Sequence, residues 1–192
     1  MKKFILLAAI MMASINVFAQ HAPGSLTLQP RIGFSAADFS NTSDTKARVG
    51  MVVGPEFEYT MSDRFSLAFG INYSQQGAEL DKTNVKYKMD YITVPVVANF
   101  YVLKGLALKA GVQPGYNISS KMEANSSKVD FEDSVKKFDL SIPVGLSYEF
   151  YNFVIDARYN LGLTKMFDES KVNLDSKNLA FQLTLGYKFT LF

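Results

Sequence analysis

The last fourteen residues alternate without a break. Leu179, Phe181, Leu183, Leu185, Tyr187, Phe189 and Leu191 fall on one side of an extended chain. Ala180, Gln182, Thr184, Gly186, Lys188, Thr190 and Phe192 fall on the other. Successive side chains of a strand point to opposite faces, whereas a helix repeats every 3.6 residues, so only a strand sorts these two sets. One face is wholly apolar and mostly large; the other is small or polar until its last residue. Each face therefore needs a different environment.

The pattern recurs along the chain. Leu28, Pro30, Ile32 and Phe34 alternate with Thr27, Gln29, Arg31, Gly33 and Ser35. Met51 to Tyr59, Phe65 to Tyr73, Leu106 to Ile118, Phe138 to Phe150 and Phe153 to Leu163 behave alike, with Glu56, Glu58, Lys109, Glu149, Asp156 and Arg158 on their polar faces. The run from Asp90 to Tyr101 is less clean; Ile92, Val94, Val96, Ala98 and Phe100 are assigned to its apolar face. That makes eight candidate strands.

Their connections alternate in length. Met61 to Arg64, Val102 to Gly105 and the segment around Tyr151-Asn152 are tight. Ala37 to Ala47, Ala78 to Met89, Ser120 to Lys137 and Lys165 to Ser176 are longer and polar. Short and long connections in turn, with both ends of the barrel segment on the short side, match the plan of an outer-membrane barrel. The expected fold is all-β, an eight-stranded antiparallel up-and-down transmembrane β-barrel.

Alternation does not say which face points inward, because a soluble ligand-binding barrel alternates too. The start of the chain bears on this. Lys2 and Lys3 precede an apolar run from Phe4 to Ile15, and Val17-Phe18-Ala19 offers small residues at the −3 and −1 positions of a cleavage site. Residues 1–19 are expected to be a cleaved secretory leader and residues 20–192 the barrel domain. The run is shorter than the ~20 residues of a membrane helix. Removing Lys2 and Lys3 leaves 18 basic against 18 acidic residues, so the slight basic excess belongs to the leader and nothing points to nucleic acid. Aromatic residues gather near strand ends, as in interfacial girdles: Tyr59, Phe65, Tyr101, Phe150, Tyr151, Phe153, Phe189 and Phe192 on the short-turn side, and Tyr73, Tyr116 and Phe138 toward the long loops. The Gly- and Ser-rich polar face suits a crowded lumen. The apolar face is therefore expected to meet lipid.

Two resemblances follow from particular residues. Thr184, Gly186, Phe189 and Leu191, with Phe192 at the end, resemble the assembly signal of outer-membrane barrels, which implies recognition by the barrel-assembly machinery. Tyr73-Ser74-Gln75-Gln76-Gly77, Asp90-Tyr91-Ile92-Thr93-Val94-Pro95, and Lys104-Gly105-Leu106 leading into Gly111-Val112-Gln113-Pro114-Gly115-Tyr116 resemble the PorT-type outer-membrane β-barrel family of Bacteroidetes. Thr93 stands where many members carry an acid. The resemblance spans roughly Gln20 to Phe192 and implies an OmpA-like eight-stranded barrel in the outer membrane. One member of that family serves protein secretion.

Little catalytic chemistry is offered. The single His, His21, precedes the first strand, so a Ser-His-acid site has no base. There is no Cys. Asp130, Glu132 and Asp133, with Glu123, lie in the third long loop among Lys128, Lys136 and Lys137 and read as a solvated loop rather than a cation site. No catalytic, cofactor-binding or metal residue is assigned, and no enzyme activity or cofactor is expected. The polar faces carry Arg31, Glu56, Glu58, Lys109, Glu149, Asp156, Arg158 and Lys188. Eight strands leave an interior only wide enough for side chains, and a buried charge without a partner costs several kcal/mol. A charge-paired plug is expected, for example Arg31 and Arg158 against Glu58 and Asp156. The expected role is a monomeric structural or interaction scaffold in outer-membrane lipid, with a protein partner at its loops. The alternatives are a porin-like small-solute channel and an accessory part of a secretion system.

Overall fold

A computed structural model describes residues 22–40, 45–80, 85–124, 127–130, 135–165 and 176–192. Their strands are β1 (Leu26–Phe39), β2 (Thr45–Ser62), β3 (Phe65–Gly70), β4 (Asn72–Leu80), β5 (Val85–Thr93), β6 (Val96–Leu103), β7 (Leu106–Ala124), β8 (Ser127–Asp130), β9 (Phe138–Phe150), β10 (Phe153–Lys165), β11 (Lys177–Tyr187) and β12 (Phe189–Thr190). Three pairs of these continue one another across a single-residue or two-residue break: β3 with β4, β5 with β6, and β11 with β12. The described residues thus form eight staves, with β8 folding back on the end of β7.

Every neighbouring pair is antiparallel, and the sheet closes on itself. β1 pairs with β2 from Leu26↔Tyr59 to Ala37↔Arg48, and on its other side with β11 and β12, from Thr27↔Thr190 to Phe39↔Asn178. Closure leaves no free edge, the condition for strands to cross lipid. The breaks fall where the ladder meets proline. Pro55 and Pro30 face each other across β1 and β2, and neither has an N–H to donate. The Pro55 carbonyl instead accepts from Ile71 N at 3.1 Å, and the Pro95 carbonyl from Gly70 N at 3.1 Å.

The turns at one end are tight, as expected. β2 and β3 are joined by Asp63-Arg64, β6 and β7 by Lys104-Gly105, and β9 and β10 by Tyr151-Asn152. Gly105 and Tyr151 take positive φ, 76° and 55°. The tyrosine is uncommon in that region. The strands run longer than expected at the other end. β1 reaches Phe39, β2 starts at Thr45, β4 reaches Leu80, and β7 continues to Ala124 before turning into β8. Much of the expected loop sequence is therefore strand. Glu132 and Asp133 lie outside the described residues, as do the leader and His21.

The facing is that of a membrane barrel. Ile32, Phe34, Leu67, Phe69, Leu108, Val112, Ile155, Leu183 and Leu185 are exposed on the outside, while Thr27, Gln29, Ser74, Asn99, Gln113, Ser147, Gln182 and Thr184 are buried inside. The least regular run also obeys the alternation: Val94, Val96 and Phe100 face out, and Tyr91, Thr93, Val97 and Asn99 face in. One expectation fails here. Tyr101 belongs with Val97 and Asn99 on the inner face, and its hydroxyl reaches the lumen instead of the girdle. Outside, Phe153 and Phe189 flank Tyr187 with ring centroids 5.1 and 4.8 Å away, an aromatic cluster at the turn end.

Candidate functional site

Among the described residues, the charged side chains buried in the barrel are Arg31, Glu56, Glu58, Lys109, Glu149, Asp156, Arg158 and Lys188. Four are cationic and four anionic, so these eight side chains carry no formal net charge together. They form two tiers in the turn-side half of the lumen.

The tier nearer the turns centres on Lys188. Its Nζ lies 2.6 Å from Glu149 Oε2 and 2.9 Å from Glu58 Oε2. Tyr101 donates its hydroxyl to Glu58 Oε1 at 2.6 Å, and Ser66 donates to the same oxygen. Asn99 Nδ2 in turn donates to Ser66 Oγ at 3.1 Å. Lys188 stands at the break between β11 and β12, where its N–H bonds the Asn152 carbonyl at 2.7 Å. That turn contact holds the lysine backbone while the side chain turns inward.

The second tier centres on Arg158. Its Nη2 lies 2.7 Å from Glu56 Oε1 and Oε2, and its Nε donates to Asp156 Oδ1 at 2.8 Å. Lys109 Nζ donates to Asp156 Oδ2 at 2.5 Å and lies 3.6 Å from Glu56 Oε1. Arg31 Nε donates to Asn72 Oδ1 at 3.1 Å. Arg31 Nη1 stands 3.1 Å from Glu56 Oε2 but off the hydrogen-bond direction, a charge contact. The register makes room for these long side chains. Gly54 and Gly186 sit opposite Arg31 on the two neighbouring strands, and Gly145 sits opposite both Lys109 and Arg158.

The expected example pairing is corrected in part. Arg158 does meet Asp156, but Glu58 belongs to Lys188, and it is Glu56 that gathers Arg31, Arg158 and Lys109. Glu56 and Glu58 stand two positions apart along the strand, enough to place them in different tiers. Sequence reading also missed Tyr101, Ser66, Asn72 and Asn99. Their signal was present in the alternation, which puts all four on inner faces. With them, every stave contributes: Arg31, then Glu56 and Glu58, then Ser66 and Asn72, then Asn99 and Tyr101, then Lys109, Glu149, Asp156 with Arg158, and Lys188.

Above the charges the lining changes. A polar belt follows, in which Gln182 Nε2 and Gln76 Nε2 both donate to Ser74 Oγ, at 3.3 and 3.1 Å. Toward the loops, Phe39, Ala78, Met89, Tyr91 and Val135 pack into an apolar cluster with Tyr87 against it. No group of three or more His, Cys, Asp or Glu comes together as a metal site among the described residues. The residues of the resembled assembly signal divide by face. Thr184 and Gly186 point inward, Gly186 against the Gln29 side chain, while Phe189, Leu191 and Phe192 are exposed.

A closed antiparallel barrel with an apolar exterior and a filled polar lumen defines a small outer-membrane β-barrel protein. The chain belongs to the family described as outer membrane protein beta-barrel domain, whose model matches residues 18–168. No curated protein matches it. Solved structures share the fold at low identity. The attachment invasion locus protein Ail of Yersinia pestis, in complex with the heparin analogue sucrose octasulfate, is 17% identical, with 86% of this chain and 99% of that chain covered and a TM-score of 0.56. Neisserial surface protein A is 18% identical, with 90% and 100% covered and a TM-score of 0.54. OprG from Pseudomonas aeruginosa is 13% identical, with 90% and 99% covered and a TM-score of 0.52.

Proposed function

We propose that this outer-membrane barrel is a closed, non-enzymatic scaffold that acts through its outward loops. The observation that carries the reading is the pair of ion-pair tiers, to which all eight staves contribute. A solute would have to part Arg158 from Glu56 and Lys188 from Glu58 to pass. Separating buried partners costs several kcal/mol per uncompensated charge. The apolar cluster around Met89 and Tyr91 adds a second obstruction toward the loops.

The finer assignments belong to the same proposal. The chain is a PorT-type barrel of Bacteroidetes, exported by a leader cut after Ala19 and recognised by the assembly machinery through Thr184, Gly186, Phe189, Leu191 and Phe192. It works as a monomer in outer-membrane lipid and engages a protein through its loops. Liposomes carrying the purified barrel should swell no faster in arabinose than empty liposomes; fast swelling would favour the porin-like alternative. A role in secretion predicts that deleting the gene impairs release of cargo proteins. Normal release would remove that role and leave the scaffold.

A further inference from the structure

Midway up the lumen, above the charged tiers, lies a small cavity of about 10 Å³. It is lined by Gln76, Gln113, Asp139, Ser141, Asn160, Asn178 and Ala180. That is about the space of one water-sized sphere. Gln113, Asn160 and Asn178 are each at least 95% buried there, with exposures of 3, 3 and 5%. Their oxygens Gln113 Oε1, Asn160 Oδ1 and Asn178 Oδ1 have no hydrogen-bond partner.

Two of these amides, Asn178 and Gln113, are oriented by their other ends. Asn178 Nδ2 donates to Gln76 Oε1, and Gln113 Nε2 donates to Ser141 Oγ at 3.4 Å. The free oxygens of these two are therefore acceptors, on residues that line the cavity. Asp139 adds a carboxylate. Thr164 donates to its Oδ1 at 2.5 Å, and no Lys or Arg of the described residues pairs with it. Against these acceptors the cavity wall offers a single unpartnered amide donor, Asn160 Nδ2.

We infer that this cavity binds one alkali metal cation. Acceptors outnumber donors, and all the candidate ligands are hard oxygens. A water has two protons to give; a cation satisfies every lone pair at once. The charge favours a monovalent ion. One carboxylate neutralises one positive charge, whereas a divalent ion would leave a net charge inside a poorly solvated lumen. The cation would tie Asp139 of β9 and Gln113 of β7 to Asn160 of β10 and Asn178 of β11. It would stiffen the half of the barrel that the ion-pair tiers do not reach. This site is separate from the closed-lumen reading and stands or falls without it.

Thallium(I) is the probe. Crystals of the refolded full barrel grown with thallium acetate should show an anomalous peak bounded by Gln113, Asp139, Asn160 and Asn178. Crystals of Asp139→Asn should not, while unboiled protein keeps its fast gel mobility. In solution, the unfolding midpoint should be higher in sodium or potassium chloride than in N-methylglucamine chloride of equal ionic strength, and Asp139→Asn should erase the difference. A cavity holding only water in the thallium crystals would overturn the inference. So would a midpoint indifferent to the alkali cation.

Discussion

Arg158 Nη2 bridges both carboxylate oxygens of Glu56 at 2.7 Å, although the two residues are 102 positions apart and stand on staves that are not neighbours in the sheet. The contact spans the lumen. Glu56 also serves Arg31 and Lys109, so among the described residues it is the one anion in ion-pair contact with three cations. Glu56→Gln should therefore destabilise the barrel by about 3–5 kcal/mol, because it strands buried positive charge. Urea unfolding followed by far-UV circular dichroism checks this. Adding Arg158→Met should recover part of the loss.

Tyr101 offers a test of facing. Its hydroxyl gives Glu58 a charge-assisted hydrogen bond at 2.6 Å. Tyr101→Phe should cost about 1.5–3 kcal/mol in the same unfolding measurement. Were the ring part of the lipid-facing girdle, the substitution would be close to neutral.

Leu185 faces out between Ile32 and Ile155 on the adjoining strands, and 49% of its surface is exposed. Lipid is its solvent, so Leu185→Arg should destabilise by up to about 2–4 kcal/mol, according to depth. In a soluble barrel with the same exposure, this change would be tolerated. Folding into lipid vesicles, read by heat-modifiable gel mobility, separates the two.

Gly54 clears space for the second tier. A Cβ there would sit 2.0 Å from the Ile71 carbonyl oxygen and 2.8 Å from Asn72 Oδ1, the acceptor of Arg31 Nε. Gly54→Ala should cost more than the ~1–3 kcal/mol of ordinary overpacking, because backbone must move as well. A lowered folded fraction on refolding is the expected result.

The facing of each strand was legible in the sequence because period two is a property of the strand itself. Leu183 and Thr184 declare their sides without reference to any neighbour. The set of charges destined for the lumen followed from the same phase. Tyr101 was misplaced by its aromatic character when its phase with Phe100 already put it inside. The partners were not legible. Whether Glu56 or Glu58 meets Arg158 depends on how far each stave is shifted against the next around the closed sheet, and local pattern does not encode that stagger. Register irregularities between Ala47 and Val52 and between Asp90 and Tyr91 shift it further. Loop lengths were overestimated for a related reason. Near Thr45 and Lys86 the strands alternate between half-buried and exposed residues, Thr45 and Lys46, Val85 and Lys86, so apolar alternation fades while the ladder continues.

The central claim is that paired charges close the lumen, and planar-bilayer recording of the purified barrel tests it most directly. The wild-type protein should show little or no steady conductance at neutral pH, and Glu56→Gln, which frees Arg158 and Arg31, should show more frequent openings. A stable, large conductance in the wild type, unchanged by Glu56→Gln, would contradict the account.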